Sequence, residues 1–316
     1  MFILLKMATI TQKSALFQGN DIMQDGCMHF KLRDYYCSVA IDGHGSDGHI
    51  VKNFIIEILS TLLEESKLDF SQSSESNNII MQTIFQNMQN NLKYFNGGAC
   101  ITLNIVVMQE NSYDLYCWHL GDTTCFLFDK IENKITQVTS SHDGTNIEEA
   151  KRIRSLGISL DNITWDKSVN PVYKIVDDNI TVIEENEIKQ PPGAINGSKA
   201  ARLGGRYGIN LTGSLGDSSY TRLGFRHNPE FHFIKAIPFT TSIFQFSDGV
   251  TDILLLPGEV AYCKQPNIKY FQELLNGDEA TLADSIKEYA STVEIVDETS
   301  KFIWGDDITV VHTYFS

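Results

Sequence analysis

The sequence lacks the long hydrophobic runs that hold a protein in a membrane or direct it across one. No apolar run approaches the roughly 18 residues that a membrane-spanning helix needs. The apolar start of the chain, residues 1–6, is too short for the core of a signal peptide. We therefore expect an intracellular, cytoplasmic protein that has no membrane partner.

Positive charge is also scarce. The chain has 25 Lys and Arg residues against 40 Asp and Glu residues, which gives a formal net charge of -15. A surplus of this size repels the phosphate backbone of nucleic acids, so we expect no nucleic-acid partner. Abundant carboxylates are compatible with divalent cations, although acidic surfaces usually serve only solubility.

Cysteine and proline are sparse as well. The six cysteines are scattered and none shows C-x-x-C spacing, which argues against a cysteine zinc site or a disulfide framework. Seven prolines and 42% hydrophobic residues are typical of an ordinary folded protein with a sizeable core. No repeat or linker divides the sequence, so we expect a single domain over residues 1–316.

Hydrophobic periodicity indicates an α+β protein. Short β-branched and aromatic runs predict strands, and turns as short as Gly121-Asp122 predict antiparallel neighbours. The rhythm of a parallel βαβ sheet is missing, so a sheet packed on a sheet with helices outside is the simplest arrangement. The predicted strands are residues 35–42, 99–108, 113–120, 124–128, 134–138, 242–246 and 307–315, and the predicted helices are residues 50–63, 77–92, 145–156, 268–275 and 282–289.

One long stretch, residues 185–209, shows no periodicity at all. It contains Pro191-Pro192-Gly193 and Gly204-Gly205, which favour turns over helix or strand. The stretch therefore predicts a flap loop, and loops of this length are often functional.

Three aspartates share one local pattern, in which an apolar strand ends at an Asp that is followed by Gly or by a second Asp. They are Asp42 before Gly43, Asp248 before Gly249, and Asp306 before Asp307. Asp-Gly often marks nothing more than a turn, so each one alone is a weak signal. Carboxylates gathered at strand ends would repel one another unless cations neutralised them, and oxygen ligands suit Mg²⁺ or Mn²⁺.

Two further residues extend this acidic set. Asp25, in the sequence Gln24-Asp25-Gly26, is a fourth candidate ligand near the N-terminus. His44 follows Asp42 by two residues. A lone histidine is more often an ordinary surface or core residue, but beside a metal ligand it is a reasonable proton donor.

The order of the short motifs resembles a known family. Each motif is weak alone, but six in the right order are specific, and they extend from about residue 15 to residue 315. In this order the sequence is similar to the metal-dependent serine/threonine protein phosphatases of type 2C. The motifs are Met-Gln-Asp (23–25), Asp-Gly-His-Gly (42–45), Leu-Gly-Asp-Thr (120–123), Ser-Leu-Gly-Asp (214–217), Ser-Asp-Gly-x-x-Asp (247–252) and Asp-Asp-Ile-Thr-Val (306–310).

The resemblance implies an α-β-β-α sandwich of two antiparallel sheets, with helices on both outer faces. It also implies two Mg²⁺ or Mn²⁺ ions, with a third as a further expectation, in a cleft at one end of the sandwich. Asp42 would bridge the two metals and Gly43 would supply a carbonyl oxygen. Asp248 and Asp306 would hold one metal, with Asp307 as the neighbouring alternative because the family usually has Asn there. Asp25 completes the expected ligands.

The same resemblance implies a mechanism. A metal pair would acidify a bridging water, which would attack phosphorus in line without a phosphoenzyme. Asp42 would serve this step by holding both metals, and His44 matches the general acid that protonates the departing serine or threonine oxygen. The expected activity is hydrolysis of phosphoserine and phosphothreonine in a phosphoprotein substrate, by a monomeric enzyme.

The chain departs from the family pattern at its phosphate-binding position. Asn20 stands where relatives often have an arginine that grips phosphate, and Gln24 replaces a glutamate that touches a metal through water. Arg33, or Arg202 and Arg206 of the flap loop, are the candidate substitutes for phosphate binding.

The third metal site of the family is altered as well. Its usual aspartate falls near Ser141, and Asp143, two residues away, is the candidate replacement. Asp217 could face the cleft beside it, whereas Asp122 is expected to form a turn. These departures leave an alternative open, a catalytically weak regulatory or binding module on the same fold.

Overall fold

The fold is described from a computed structural model. It describes residues 9–19, 22–144, 146–160, 163–165, 173–176, 179–182, 201–203, 209–254, 273–292, 294–296, 301–303 and 306–316.

The described residues form seventeen strands, five α-helices, a helical segment at residues 273–275 and a 3₁₀ helix at Ser218–Leu223. The helices are α1 (Gly48–Glu65), α2 (Ser74–Leu92), α3 (Ile147–Ser155), α4 (Asp248–Leu254) and α5 (Leu282–Thr292). The strands are β1 (Ile10–Phe17), β2 (Gly26–Leu32), β3 (Tyr35–Gly45), β4 (Gly97–Met108), β5 (Ser112–Leu120), β6 (Thr124–Asp129), β7 (Lys134–Gln137), β8 (Ile163–Trp165), β9 (Tyr173–Val176), β10 (Asn179–Val182), β11 (Ala201–Leu203), β12 (Leu215–Gly216), β13 (Glu230–Pro238), β14 (Thr241–Phe246), β15 (Glu294–Val296), β16 (Lys301–Ile303) and β17 (Ile308–Phe315).

Two antiparallel sheets make up the centre of the molecule. The five-stranded sheet has the order β1-β17-β14-β6-β7, and the six-stranded sheet has the order β13-β5-β4-β3-β2 with β12 paired to β4. Three two-stranded ribbons, β8 with β11, β9 with β10, and β15 with β16, lie outside these sheets. The predicted sandwich of antiparallel sheets is confirmed.

Helices cover both outer faces of the sandwich. Helix α1 buries Val51, Ile55, Leu59 and Leu63, one residue per turn, against the six-stranded sheet. Each such side chain contributes about 1.5–3 kcal/mol when fully removed from water. Helices α4 and α5 pack on the five-stranded sheet, so the predicted placement of helices is confirmed as well. None of the helices in these described ranges is long and apolar enough to cross a membrane.

The layer between the sheets is apolar at its centre. Leu115 and Cys117 of β5 meet Cys125 and Leu127 of β6, together with Ile243 of β14. Each of these side chains is almost completely buried. The alternation of strand side chains places the neighbouring residue Trp118 on the opposite face, under the helices α1 and α2.

The turn at Gly121-Asp122 corrects one prediction. It joins β5 of the six-stranded sheet to β6 of the five-stranded sheet, so the two strands are not neighbours. Gly121 has φ +104°, and an added Cβ would collide with Cys100, so this tight crossing requires glycine. The prediction of antiparallel pairing across the turn is wrong because turn length does not tell which sheet the next strand joins.

Ten of the seventeen strands were not predicted from the sequence, namely β1, β2, β8 to β13, β15 and β16. Strand β13 is the most irregular of them, because its pairing with β5 shifts register between Ile234 and Ile237. Within that bulge Ala236 adopts φ 57°, and Lys235 beside it is exposed. Polar and exposed residues of this kind hide the alternation by which a strand is recognised.

Two predicted segments fall largely outside the described residues. Of the predicted helix 268–275, residues 273–275 are described and are helical. Of the predicted flap 185–209, residues 201–203 form β11 and pair with β8, and residue 209 is also described. The flap and the single-domain organisation stay predictions.

Candidate functional site

Four aspartates meet at one end of the sandwich because four chain segments end or begin there. Strand β2 begins opposite the end of β3, where Gly26 pairs with Ile41, so Asp25 and Asp42 are neighbours. Strand β14 ends opposite the start of β17, where Phe246 pairs with Val310. This second pairing brings the residues after β14 and before β17 together. The four converging acids are Asp25, Asp42, Asp248 and Asp306.

Asp42 lies at the centre of this set. Burial raises the pKa of its carboxyl well above the usual range, and the charges of Asp25 and Asp248 raise it further. Asp122 and Asp306 add smaller effects in the same direction. The backbone N–H of Asp248 donates to Asp42 Oδ2 at 3.4 Å. The acids are therefore close enough for each to oppose the ionisation of Asp42.

Asp25 is the best indication that a cation belongs here. The side chain is 2% exposed, and its Oδ2 has no hydrogen-bond partner in the structure. Burial raises the pKa of Asp25 to about 8, against the opposing hydrogen bond from Ser247. A buried carboxylate oxygen without a donor is costly, and a divalent cation would satisfy it. The donor set, all oxygen, fits Mg²⁺ or Mn²⁺.

The spacing of the acids is wider than the cage of a single ion. In the described part of the chain, no three of these carboxylates bring one oxygen each within 4.8 Å of one another. Mutual repulsion of uncompensated carboxylates favours such spacing.

Gly43 provides the close backbone approach that follows Asp42. A Cβ at this position would lie 2.7 Å from the carbonyl oxygens of Gln24 and Gly48, a distance that real Cβ atoms do not show. The Gly43 N–H donates to the Gln24 carbonyl at 3.2 Å. The Gln24 side chain donates to the Gly45 carbonyl at 3.1 Å, so it supports the turn after β3.

The two C-terminal aspartates have different surroundings. The Asp307 carboxylate accepts the backbone N–H groups of Gly19 at 2.9 Å and Gln24 at 2.7 Å, which fixes the N-terminal segment beside the site. The charge of Asp306 raises the pKa of Asp42, whereas that of Asp307 raises the pKa of Asp25. These contacts favour Asp306 over the alternative Asp307 as the residue that faces Asp42.

His44 is paired with Asp217. Its Nε2 lies 2.5 Å from Asp217 Oδ2, which also accepts the hydroxyl of Ser214 at 2.6 Å. Burial lowers the pKa of His44, but the negative charge of Asp217 and the hydrogen bond to it outweigh burial and raise the pKa overall. Asp217 was expected to face the cleft, and it does so through this contact.

The turn that carries Asp217 is built tightly. Asp217 adopts φ 48° and follows Gly216 at φ 86°, both in the left-handed region. Gln89 of helix α2 donates to the Gly216 carbonyl at 2.8 Å and accepts its N–H at 2.8 Å. Gly98 of β4 passes directly below, and a Cβ there would clash with Asp217 Oδ2. The position of Asp217 thus depends on helix α2 and strand β4.

A cavity of about 650 Å³ opens beside these residues, and we call it the acid cleft. Two of the residues that line this cleft were not expected there from the sequence. Asp122, expected only to form a turn, lines the cleft and raises the pKa of Asp42. Lys93, at the C-terminal end of α2, also lines it. Polar and charged residues of the cleft include Asp42, His44, Lys93, Asp122, Asp217 and Asp248.

Arg33, the predicted phosphate-binding arginine whose side chain the structure describes, is not among these residues. The Arg33 guanidinium donates to the carbonyls of Leu68 at 2.9 Å and Ser66 at 3.0 Å, just beyond α1. Arg33 lies in the turn between β2 and β3, at the end of that hairpin opposite Asp25 and Asp42. The prediction for Arg33 is therefore corrected. The Arg202 side chain and the whole of Asn20 and Arg206 lie outside the described residues.

The two residues predicted to hold a third metal, Asp217 and Asp143, make different contacts. Asp217 lies in the acid cleft, bonded to His44. Asp143 is 4% exposed and accepts the Asn146 N–H at 3.2 Å, where helix α3 begins. It also forms a β-bridge with Leu211, which lines the cleft. A third metal at Asp143 and Asp217 stays a prediction.

Solved structures share this fold at low sequence identity. A phosphatase from Toxoplasma gondii is 12% identical, with a TM-score of 0.64 over 98% of this chain and 93% of that chain. A serine/threonine phosphatase from S. agalactiae is 14% identical, with a TM-score of 0.58 over 97% and 99% of the two chains. A C. elegans sex determining protein is 13% identical, with a TM-score of 0.57. This chain matches it over 98% of its own length and 65% of the other's.

No curated protein sequence matches the chain significantly. A family model does match, and it carries the description protein phosphatase 2C and covers residues 18–255. That range contains Asp25, Asp42, Asp248, His44 and Asp217, whereas Asp306 lies beyond it. The family is metal-dependent and acts on phosphoproteins. With more than half of its length matched by this model, the chain belongs to the protein phosphatase 2C family.

Proposed function

We propose that this chain is a Mg²⁺- or Mn²⁺-dependent phosphatase that hydrolyses phosphoserine and phosphothreonine in proteins. One observation carries the proposal. Asp25, Asp248 and Asp306, from separate segments, surround the half-buried carboxylate of Asp42 beside the paired His44 and Asp217. Family membership supports a protein phosphatase. The arrangement of these side chains supports assigning them roles in the reaction.

The residues divide into those that hold cations and those that move a proton. Asp42, Asp25, Asp248, Asp306 and the Gly43 carbonyl would hold two divalent cations. Such cations lower the pKa of bound water and neutralise the charge of a phosphoryl group. The unsatisfied oxygen of Asp25 and the raised pKa of Asp42 support this use of the four carboxylates.

His44 would donate a proton to the serine or threonine oxygen as it leaves phosphorus. A raised pKa keeps the imidazole protonated to higher pH, which is the form that a general acid needs. Asp217 holds Nε2 of the ring in place and stabilises its positive charge. General acid catalysis of this kind contributes about 10²- to 10⁴-fold in rate.

The test compares two substrates with different leaving groups. Wild-type protein with Mn²⁺ should hydrolyse a phosphothreonine peptide, EDTA should stop it, and Asp42→Ala should abolish it. His44→Ala should slow the phosphopeptide about 10²- to 10⁴-fold but p-nitrophenyl phosphate much less, because nitrophenolate leaves without a proton. Asp34→Ala, at an exposed turn far from the cleft, is the matched control. No Mn²⁺-dependent hydrolysis above background would contradict the proposal.

A regulatory or binding module is the second candidate. The Gln24 side chain is bonded to the Gly45 carbonyl rather than presented as a charged ligand, which favours weaker metal binding. Calorimetry beside the activity assay separates the two functions. Tight binding of a phosphoprotein with negligible turnover would favour the module.

A further inference from the structure

A second group of ligand-type side chains lies on the inner face of the six-stranded sheet. His119 of β5 pairs directly with Glu230 of the edge strand β13, and His232 follows two residues along β13 on the same face. One ligand atom from each of the three lies within 4.8 Å of the other two. None of the three lines the acid cleft.

His119 presents a ring nitrogen without a partner. Its Nε2 lies 2.9 Å from the Gly121 carbonyl, which can only accept, so Nε2 carries the proton and Nδ1 carries the lone pair. The residue is completely buried, and Nδ1 has no hydrogen-bond partner in the structure. Burial lowers the pKa of His119 well below its usual range, so the ring is neutral and available as a ligand.

His232 and Glu230 complete the group from the other strand. The buried Nε2 of His232 has no hydrogen bond and lies 3.4 Å from Glu230 Oε1. The other oxygen, Glu230 Oε2, is 3.0 Å from His142 Nε2. His142 Nδ1 accepts the Gly121 N–H at 3.1 Å, and its Nε2 also lies 2.9 Å from Arg226 Nη1. Arg226 also approaches Oε2, at 3.5 Å, which leaves Oε1 on the side of His232.

This geometry matches what a tetrahedral zinc ion requires. Ligand bonds of about 2.0–2.2 Å place neighbouring ligand atoms about 3.3–3.5 Å apart. The separation between His232 Nε2 and Glu230 Oε1, 3.4 Å, already has this value, and a ring nitrogen of His119 lies within 4.8 Å of the ligand atoms of both. Two of the ligands also contact a polar group on the side away from the metal position, as metal ligands usually do. His119 contacts the Gly121 carbonyl, and Glu230 contacts His142.

We propose that His119, Glu230 and His232 form a separate metal site that binds Zn²⁺, with water as the fourth ligand. Two imidazoles and one carboxylate prefer zinc over Mg²⁺, whereas the all-oxygen acid cleft has the reverse preference. The ion ties the edge strand β13 to β5. It also fixes the Gly121 carbonyl through His119, next to Asp122 in the acid cleft.

The experiment is a Zn²⁺ titration of the full chain in excess Mg²⁺, against a chromophoric chelator. Wild-type protein should bind one Zn²⁺ that survives the Mg²⁺, and both His232→Ala and Glu230→Gln should weaken it at least about 10-fold. His29→Ala removes an exposed histidine of β2 and should leave binding unchanged. Asp248→Asn, in the acid cleft, should leave it unchanged too.

Co²⁺ provides a second readout that does not depend on affinity alone. Co²⁺ bound in place of Zn²⁺ should give the visible absorption of a tetrahedral site in wild type and lose it in His232→Ala. Thermal melts should show Zn²⁺ stabilising wild type but not Glu230→Gln. Both variants leave the fully buried His119 in place, and melts without metal will show whether they fold. Zn²⁺ binding equal in wild type and in both variants, or absent from wild type, would overturn the proposal.

Discussion

Gly98→Ala should lower phosphatase activity by displacing Asp217 rather than by touching substrate or metal. The added methyl would clash with Asp217 Oδ2 and lie 2.5 Å from the Leu215 carbonyl and 2.7 Å from Ser214 Oγ. Real Cβ contacts essentially never fall below 3.0 Å, so β4 and the Asp217 turn must separate. The Asp217 turn is hydrogen-bonded to Gln89 and β4 is paired with β3, so neither side of this contact can give way easily.

The size of the effect follows from the required movement. A displacement of roughly 1 Å at a catalytic group costs on the order of 10²-fold in rate. Overpacking of a tight contact also costs about 1–3 kcal/mol of unfolding free energy. We therefore expect kcat for a phosphothreonine peptide to fall about 10²-fold, with a modest loss of stability.

Gly157→Ala separates the loss of activity from the loss of stability. Gly157 has φ 75° with nothing within 4 Å of an added Cβ, so alanine there is strained, by about 1–2 kcal/mol, without any clash. Urea unfolding and initial rates with Mn²⁺ should show both variants destabilised and Gly98→Ala alone impaired in turnover. The reasoning is refuted if Gly98→Ala keeps wild-type kcat, or if Gly157→Ala loses as much activity.

Three further predictions concern charge. Asp25→Asn should stabilise the protein in EDTA by about 1–3 kcal/mol, because it removes a buried carboxylate from a group of carboxylates. It should also raise the Mn²⁺ concentration needed for half-maximal activity. Urea unfolding and Mn²⁺ titrations of activity check this, and lower stability in EDTA would contradict it. Lys93→Ala should raise KM for a phosphopeptide more than it lowers kcat, because Lys93 brings positive charge to the cleft, whereas the exposed Lys67→Ala should change neither. Burial lowers the pKa of His312 to about 3, so the unfolded chain binds a proton that the folded chain refuses, and stability falls as pH drops from about 6.5 towards 3. The His312 ring stacks on Phe244, with 4.3 Å between the ring centroids, so a phenyl ring fits the same place. His312→Phe should therefore remove roughly 2 kcal/mol of the difference in unfolding free energy between pH 8 and pH 5, and an unchanged difference would contradict this.

The aspartates that the structure brings together could be found in the sequence because their signal is local. Asp42, Asp248 and Asp306 each follow or precede a recognisable strand, and the short turns after them mark strand ends. The motif order then placed Asp25 and His44 in the same site. The contact between His44 and Asp217 depends instead on how the turn at Gly216 is held by Gln89, a hydrogen bond between residues 127 positions apart.

The wrong and missing site predictions have a common physical origin, because a local sequence pattern does not show which distant segments lie next to it in the fold. Arg33 lies in the same hairpin as Asp25, but it is at the far end and binds the carbonyls beyond α1. Asp122 resembles a turn residue, and only the crossing between sheets brings it into the cleft. The pairing of His119 with Glu230 was hidden because β13 itself was not predicted.

The central claim is that acids from four chain segments share two divalent cations around Asp42. Anomalous diffraction from crystals soaked in Mn²⁺ tests this most directly. We predict two manganese peaks in the acid cleft, both within bonding distance of Asp42, with Asp248 and Asp306 among the remaining ligands. The absence of manganese at Asp42, or a single ion bound by one carboxylate alone, would contradict the account.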